Sequence, residues 1–98
     1  MKALRFHREA DAEFTAELRW YTETSPDLGN RFYDAVEQIL REICAHPQRY
    51  RQIDPPVRRY LVPSFPYAVL YIDEPDRVWI VAIMPLRREP GYWKHRVS

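Results

Sequence analysis

Residues 58–93, RRYLVPSFPYAVLYIDEPDRVWIVAIMPLRREPGYW, decide the fold. Tyr67, Val69 and Tyr71 alternate with Ala68, Leu70 and Ile72, so both faces of that run are apolar or aromatic. Val78, Ile80, Ala82 and Met84 alternate with Trp79, Val81 and Ile83 in the same way. β-branched and aromatic residues suit a pleated surface, and a run apolar on both faces belongs inside a sheet. The intervening IDEPDR is short and polar and carries Pro75, as a hairpin connection requires. With a shorter run opening at Arg58 and Arg59, the stretch predicts a three-stranded antiparallel meander.

Upstream, the periodicity changes. Ala3–Phe6 puts Leu4 and Phe6 on one face and Arg5 on the other, which reads as a first strand. From Arg8, the residues Ala10, Phe14, Leu18 and Tyr21 recur at helical spacing, with Glu9, Asp11, Glu13 and Glu17 outside the stripe. Acidic residues in the first turns complement the helix dipole. This helix is expected over Arg8–Thr24. Ser25 is a good N-cap and Pro26 fits the first position of a second helix, expected over Pro26–His46. Its stripe comprises Leu28, Phe32, Ala35, Val36, Ile39, Leu40 and Ile43. So short a connection makes the pair an antiparallel hairpin, and its apolar stripes need the sheet as cover. Residues 46–56 read as a proline-containing connection, and Trp93 as an anchor for the tail.

The expectation is therefore an α+β fold spanning residues 1–98 as one domain. A 98-residue chain, 46% hydrophobic and 30% charged, buries only a modest core. Met1–His7 lacks the apolar segment of a signal peptide, and no apolar run reaches the roughly 20 residues that span a bilayer. Cys44 stands alone, as a small core hydrophobe in a reducing compartment; a cytoplasmic location follows. The net charge of +1 divides unevenly, −3 over residues 1–46 and +4 over residues 47–98. The excess is almost all arginine, which suits bidentate contact with phosphate or carboxylate.

No glycine-rich phosphate loop, paired Cys/His spacing or nucleophile elbow occurs, so no metal and no cofactor is expected. His7, His46 and His95 lie far apart, and the carboxylates sit on helix surfaces. What stands out is arginine beside aromatics at strand ends: Arg58 and Arg59, then Arg87 and Arg88. If they converge, Arg59, Arg87 or Arg88, and Tyr92 form a cationic–aromatic pocket able to hold phosphates and stack bases. Otherwise the arginines guard a sheet edge against mispairing.

The order strand, helix hairpin, meander resembles the RelE/ParE superfamily of bacterial toxins. The resemblance is carried by RRYLVPSFPYAVLYI with its Ser64–Phe65–Pro66–Tyr67 core, by the ending LRREPGYWKHR, by Leu28–Gly29–x–x–Phe32 and by His46–Pro47. It covers essentially the whole chain and implies the toxin of a type II toxin–antitoxin pair, a plasmid stabilisation protein neutralised by a cognate antitoxin. Superfamily members divide by target. RelE-like toxins cleave messenger RNA on the ribosome without a metal; ParE-like toxins poison DNA gyrase. For a nuclease the resemblance implies Arg59, Arg87, Arg88 and Tyr92 as catalytic residues. For partner or target binding, the positive charge of the strand half and tail makes Arg58, Arg59, Arg87, Arg88, Trp93, Lys94 and Arg96 the candidates.

Two departures favour the gyrase branch. Many relatives place a histidine before the last arginine pair, where this chain has Met84–Pro85–Leu86. The lysine bases of some ribosome-dependent members are replaced in the connection by Arg49 and Arg51, and arginine stays protonated. A partner-binding module of the same fold without toxicity is the third reading.

Overall fold

The computed structural model describes residues 2–97. The elements follow in the order β1 (Ala3–Phe6), α1 (Arg8–Thr24), α2 (Pro26–Ala45), β2 (Gln52–Asp54), β3 (Val57–Leu61), β4 (Tyr67–Asp73) and β5 (Arg77–Pro85), with a 3-10 turn at Lys94–Arg96. The five strands make one sheet in the order β1-β5-β4-β3-β2, in which β1 runs parallel to β5 and every other pair is antiparallel. The α+β architecture and the meander β3–β4–β5 are as the periodicity predicts.

The caps act where the sequence places them. Ser25 is extended, its hydroxyl accepts from the Leu28 N–H at 3.5 Å, and its own N–H closes α1 on the Tyr21 carbonyl at 2.9 Å. One residue thus ends one helix and starts the next. Gly29 lets the helices touch: a Cβ there would lie 2.1 Å from Thr22 Oγ1 and 2.8 Å from Thr22 Cα. That close approach gives the Leu28–Gly29 pair its physical meaning. α1 starts on His7, whose Nδ1 accepts from the Glu9 N–H at 3.0 Å. α2 ends at Ala45 with His46 as its cap, one residue short of the expected end, within the usual fraying of a helix terminus.

The sheet is covered on both sides. On the helix side, Phe32, Val36, Ile39 and Ile43 of α2 pack with Val69, Tyr71, Val78, Ile80 and Ile83 of the sheet, all essentially sealed from water. On the far face, Val57, Ala68, Leu70, Val81 and Ala82 lie under Trp93, which is 3% exposed. Trp93 is the anchor that holds the tail on the sheet.

Residues 46–56 are more than a connection: they contain β2, which pairs Gln52 with Arg58 and Asp54 with Val57. Three residues with a single apolar side chain give no periodicity to read. Cys44 is half-buried rather than buried, and desolvation pushes its thiol pKa up, away from reactive thiolate.

Register on β4 fixes where the tail starts. Tyr67 pairs with Pro85 and Ala68 with Met84, but Leu70 pairs with Ala82 and Tyr71 with Ile80. Val81 is therefore an extra residue on β5, a bulge that turns its carbonyl out of the ladder.

Candidate functional site

β3 and β5 both run antiparallel to β4, so they run parallel to each other. Arg59 pairs with Leu70, which pairs with Ala82, and the chain leaves β5 a few residues further on. The tail then folds back across the far face of the sheet through a turn at Gly91, whose φ of +77° suits glycine. The result is a groove of about 450 Å³. Arg59, Arg88 and Lys94 bring it positive charge; Ile53, Met84, Leu86 and Trp93 supply apolar surface.

Arg59 and Arg88 thus converge, and Lys94 joins them. Asp54, on the opposite rim, lies 3.6 Å from Lys94. Arg88 is held from below: its guanidinium stacks on the Tyr92 ring with its carbon 4.0 Å from the ring centre, and Glu89 lies 3.4 Å from its Nη2. Stacked guanidinium groups keep their in-plane donors free for a ligand.

The other expected residues lie elsewhere. Arg87 points to a separate concavity lined by Trp20, Glu17 and Tyr67. Arg58 donates to the carbonyls of Gln48 at 3.1 Å and Tyr50 at 2.8 Å, and so ties down the connection before β2. Arg96 has a side chain only 5% exposed. It forks onto Glu13, Nη1 to Oε1 and Nη2 to Oε2, both at 2.9 Å, and reaches the bulge carbonyl of Val81 at 3.1 Å. Of the residues expected as binding contacts, Arg96 is therefore spent inside the fold, while Trp93, only 3% exposed, lines the groove with little open surface.

Tyr92 is likewise engaged. Its hydroxyl donates to Glu13 Oε2 at 2.7 Å. Burial first, and then that carboxylate, push its pKa well above the ordinary phenol value. A phenol so held is neither base nor ready acid near neutrality.

Glu13 is the residue that sequence reasoning missed. It was grouped with solvated helix carboxylates, yet it also accepts from the Ile83 N–H at 3.1 Å and is largely covered. The pattern repeats: Glu17 accepts from the Tyr67 hydroxyl and Glu42 from the Tyr60 hydroxyl. A helix glutamate a few residues from the apolar stripe and a tyrosine on the sheet or tail are the only traces this leaves in a sequence.

A larger groove, about 660 Å³, runs between α2 and the β3–β4 loop. Of its charged groups, Arg31 pairs with Asp27 at 3.3 Å and Glu42 holds Tyr60, which leaves Asp34 alone. It gathers no cluster of like charge, so the smaller groove is the site of interest. Among the described residues, no group of three His, Cys, Asp or Glu side chains is placed to hold a metal, and no helix is long and apolar enough to cross a membrane.

A family model described as ParE toxin of type II toxin-antitoxin system, parDE, matches residues 4–90. Among solved structures, one titled "Chromosomal ParDE TA system from P. aeruginosa" superposes with a TM-score of 0.74 at 18% identity, covering 89% of this chain and 98% of that one. At that identity the likeness is one of fold. No curated protein sequence matches the chain.

Proposed function

The chain belongs to the ParE toxin family of type II toxin–antitoxin systems, and from that premise we propose that it arrests growth by protein contact, with DNA gyrase as its target. A cognate antitoxin binds it directly and keeps it silent, meeting the cations of the groove with an acidic, amphipathic segment. The chain works in the cytoplasm, where that target lies.

The observation that carries the gyrase reading is the state of Tyr92. A ribonuclease of this fold needs a group to take the 2′-hydroxyl proton and another to protonate the leaving oxygen. The groove lines up Arg59, Arg88 and Lys94 instead. Arginine is too basic to exchange a proton near neutrality, and the nearest phenol is locked on Glu13. Asp54, lining the same groove, faces Lys94. With Lys94 and Asp54 engaged with each other, what remains is a mostly cationic rim over an apolar floor, a composition that favours recognition over reaction.

Arg59 and Arg88 could also clamp a phosphate, and that geometry keeps the messenger RNA reading as the alternative. Two assays separate them. Purified chain should inhibit supercoiling by gyrase and leave messenger RNA whole in a translating extract. Cleaved message with unimpaired supercoiling would reverse the assignment.

A further inference from the structure

Glu13 is 79 residues from Tyr92 and 83 from Arg96 in sequence, yet it bonds to both. Its two oxygens accept four hydrogen bonds from three residues in two segments, β5 and the tail. Oε1 takes the Ile83 N–H at 3.1 Å and Arg96 Nη1 at 2.9 Å; Oε2 takes Arg96 Nη2 at 2.9 Å and the Tyr92 hydroxyl at 2.7 Å. One carboxylate on α1 thereby joins the bulged strand to the tail. A bidentate arginine–carboxylate pair, mostly shielded from water, is among the stronger and more directional contacts available to a protein.

The tail is also one wall of the groove, through Pro90, Gly91, Trp93 and Lys94. The Tyr92 ring that Glu13 holds by its hydroxyl is the surface on which Arg88 stacks, with Arg96 5.1 Å from the same ring centre. A path of direct contacts therefore runs from Glu13, through Tyr92 and Arg96, to the Arg88 guanidinium in the groove.

We propose that Glu13 is a positioning residue for the groove: it touches no ligand, but it sets the tail and, through the Tyr92 ring, the place of Arg88. The proposal rests on the groove being the surface through which the chain meets its partners. Glu13→Gln is the sharpest probe, because it keeps the shape and turns one acceptor into a donor that faces Arg96. Without the carboxylate the fork is lost, and the tail beyond the Trp93 anchor loosens, with Tyr92 no longer held.

The test is made on the full isotope-labelled chain. In the unaltered protein, the Arg88 side-chain resonances should carry an upfield shift from the Tyr92 ring. In Glu13→Gln that shift should collapse. Exchange protection of the Lys94, Arg96 and Val97 amides should fall roughly ten- to hundredfold, the effect of losing charge-assisted hydrogen bonds, while the β4 amides keep theirs. Arg96→Lys, at the other end of the fork, should do the same and serves if Glu13→Gln fails to fold. In the gyrase assay, Glu13→Gln should weaken inhibition at least tenfold, and should add nothing in an Arg88→Ala background. A persistent Arg88 shift in folded Glu13→Gln, or additive losses with Arg88→Ala, would overturn the proposal. Absence of any gyrase inhibition by the unaltered chain would sink the gyrase reading alone, because the resonance and exchange results decide the positioning role without it.

Discussion

Replacing Tyr92 with phenylalanine removes one oxygen atom and separates the two ways of using this fold. The lost hydroxyl donates to a carboxylate at 2.7 Å, a class of bond worth about 1.5–3 kcal/mol. The cost should fall at the low end or below, because Glu13 keeps Arg96's fork and the Ile83 N–H and is not left unsatisfied. About 1–2 kcal/mol is expected, which for a domain of this size lowers the melting temperature by roughly 5–15 °C. Arg96's fork on Glu13 still holds the tail, and with it the ring and the Arg88 stack, so a toxin acting by contact should still arrest growth at a temperature well below its melt. The assay is a paired one, calorimetry on the purified variant and colony counts after induction. An unchanged melt would show that the Tyr92–Glu13 bond is not formed in solution. Loss of toxicity in a folded variant, with cleaved message regained on restoring the hydroxyl, would refute the contact mechanism.

Phe32 is fully buried, with ring centres 4.8 Å from Tyr21 and 5.2 Å from both Phe65 and Tyr67. Phe32→Ala should therefore cost about 4–5 kcal/mol, the upper part of its class; a denaturant midpoint close to the original would contradict that packing. Gly29→Ala should destabilise by about 1–3 kcal/mol and Thr22→Ala should not restore it, because the new methyl also meets the Thr22 Cα at 2.8 Å; full rescue in chemical melts would count against it. Burial pushes Tyr71 up to about 12 and drives Tyr67 and Tyr92 higher still, while the Glu42 hydrogen bond raises Tyr60. With folded pKa values above the unfolded one, the stability from these groups is whole below about pH 10 and is lost as pH rises, by about 1.4 kcal/mol per unit for Tyr71 up to pH 12; a phenolate titration in which all seven tyrosines ionise together near pH 10 without unfolding would rule it out. Reversing the groove with Arg59→Glu and Arg88→Glu should weaken antitoxin binding and flatten its salt dependence, measured by titration at several ionic strengths; affinity unmoved by both changes would place the antitoxin elsewhere.

Most of the architecture was legible because it is written in periodicity. The two-faced apolarity of residues 67–72 and 78–84 could only be an interior pair, and Ser25–Pro26 is a helix boundary by chemistry alone. The Ser64–Phe65–Pro66 stretch that carried the family resemblance is the turn into β4, where Ser64 takes a positive φ of 68°. What stayed hidden depends on distance in the sequence. Whether Arg59 meets Arg88 turns on strand order and on the fold-back at Gly91, neither of which any local pattern encodes. Arg58 differs from Arg59 by one position, and so by one face of β3: it binds carbonyls of the preceding connection, while its neighbour looks into the groove. Arg96 and Glu13 read as surface charges because each becomes buried only through the other. The edge strand β2 was illegible for a simpler reason, that three residues are too few for alternation to show.

The electrostatics of the groove bear on what it can bind. Three cations meet there, and each phosphate contact on a single strand contributes a salt slope of about 0.7. Three such contacts would give a slope near 2, so a fourfold rise in salt would cost an RNA complex roughly twentyfold; proteins held mainly by phosphates lose a thousandfold or more. Charge alone would therefore grip RNA weakly. Stacking does not make up the difference, because Tyr92 already lies under Arg88 and Trp93 faces the sheet core. The remaining source of affinity is the apolar surface of Ile53, Met84 and Leu86, of which Leu86 is 48% exposed. Apolar side chains of that kind are buried by other side chains, with the surrounding arginines meeting carboxylates at the rim. Such a composition suits a protein surface, and under the proposed function one acidic, amphipathic antitoxin segment would fill the place that the target takes.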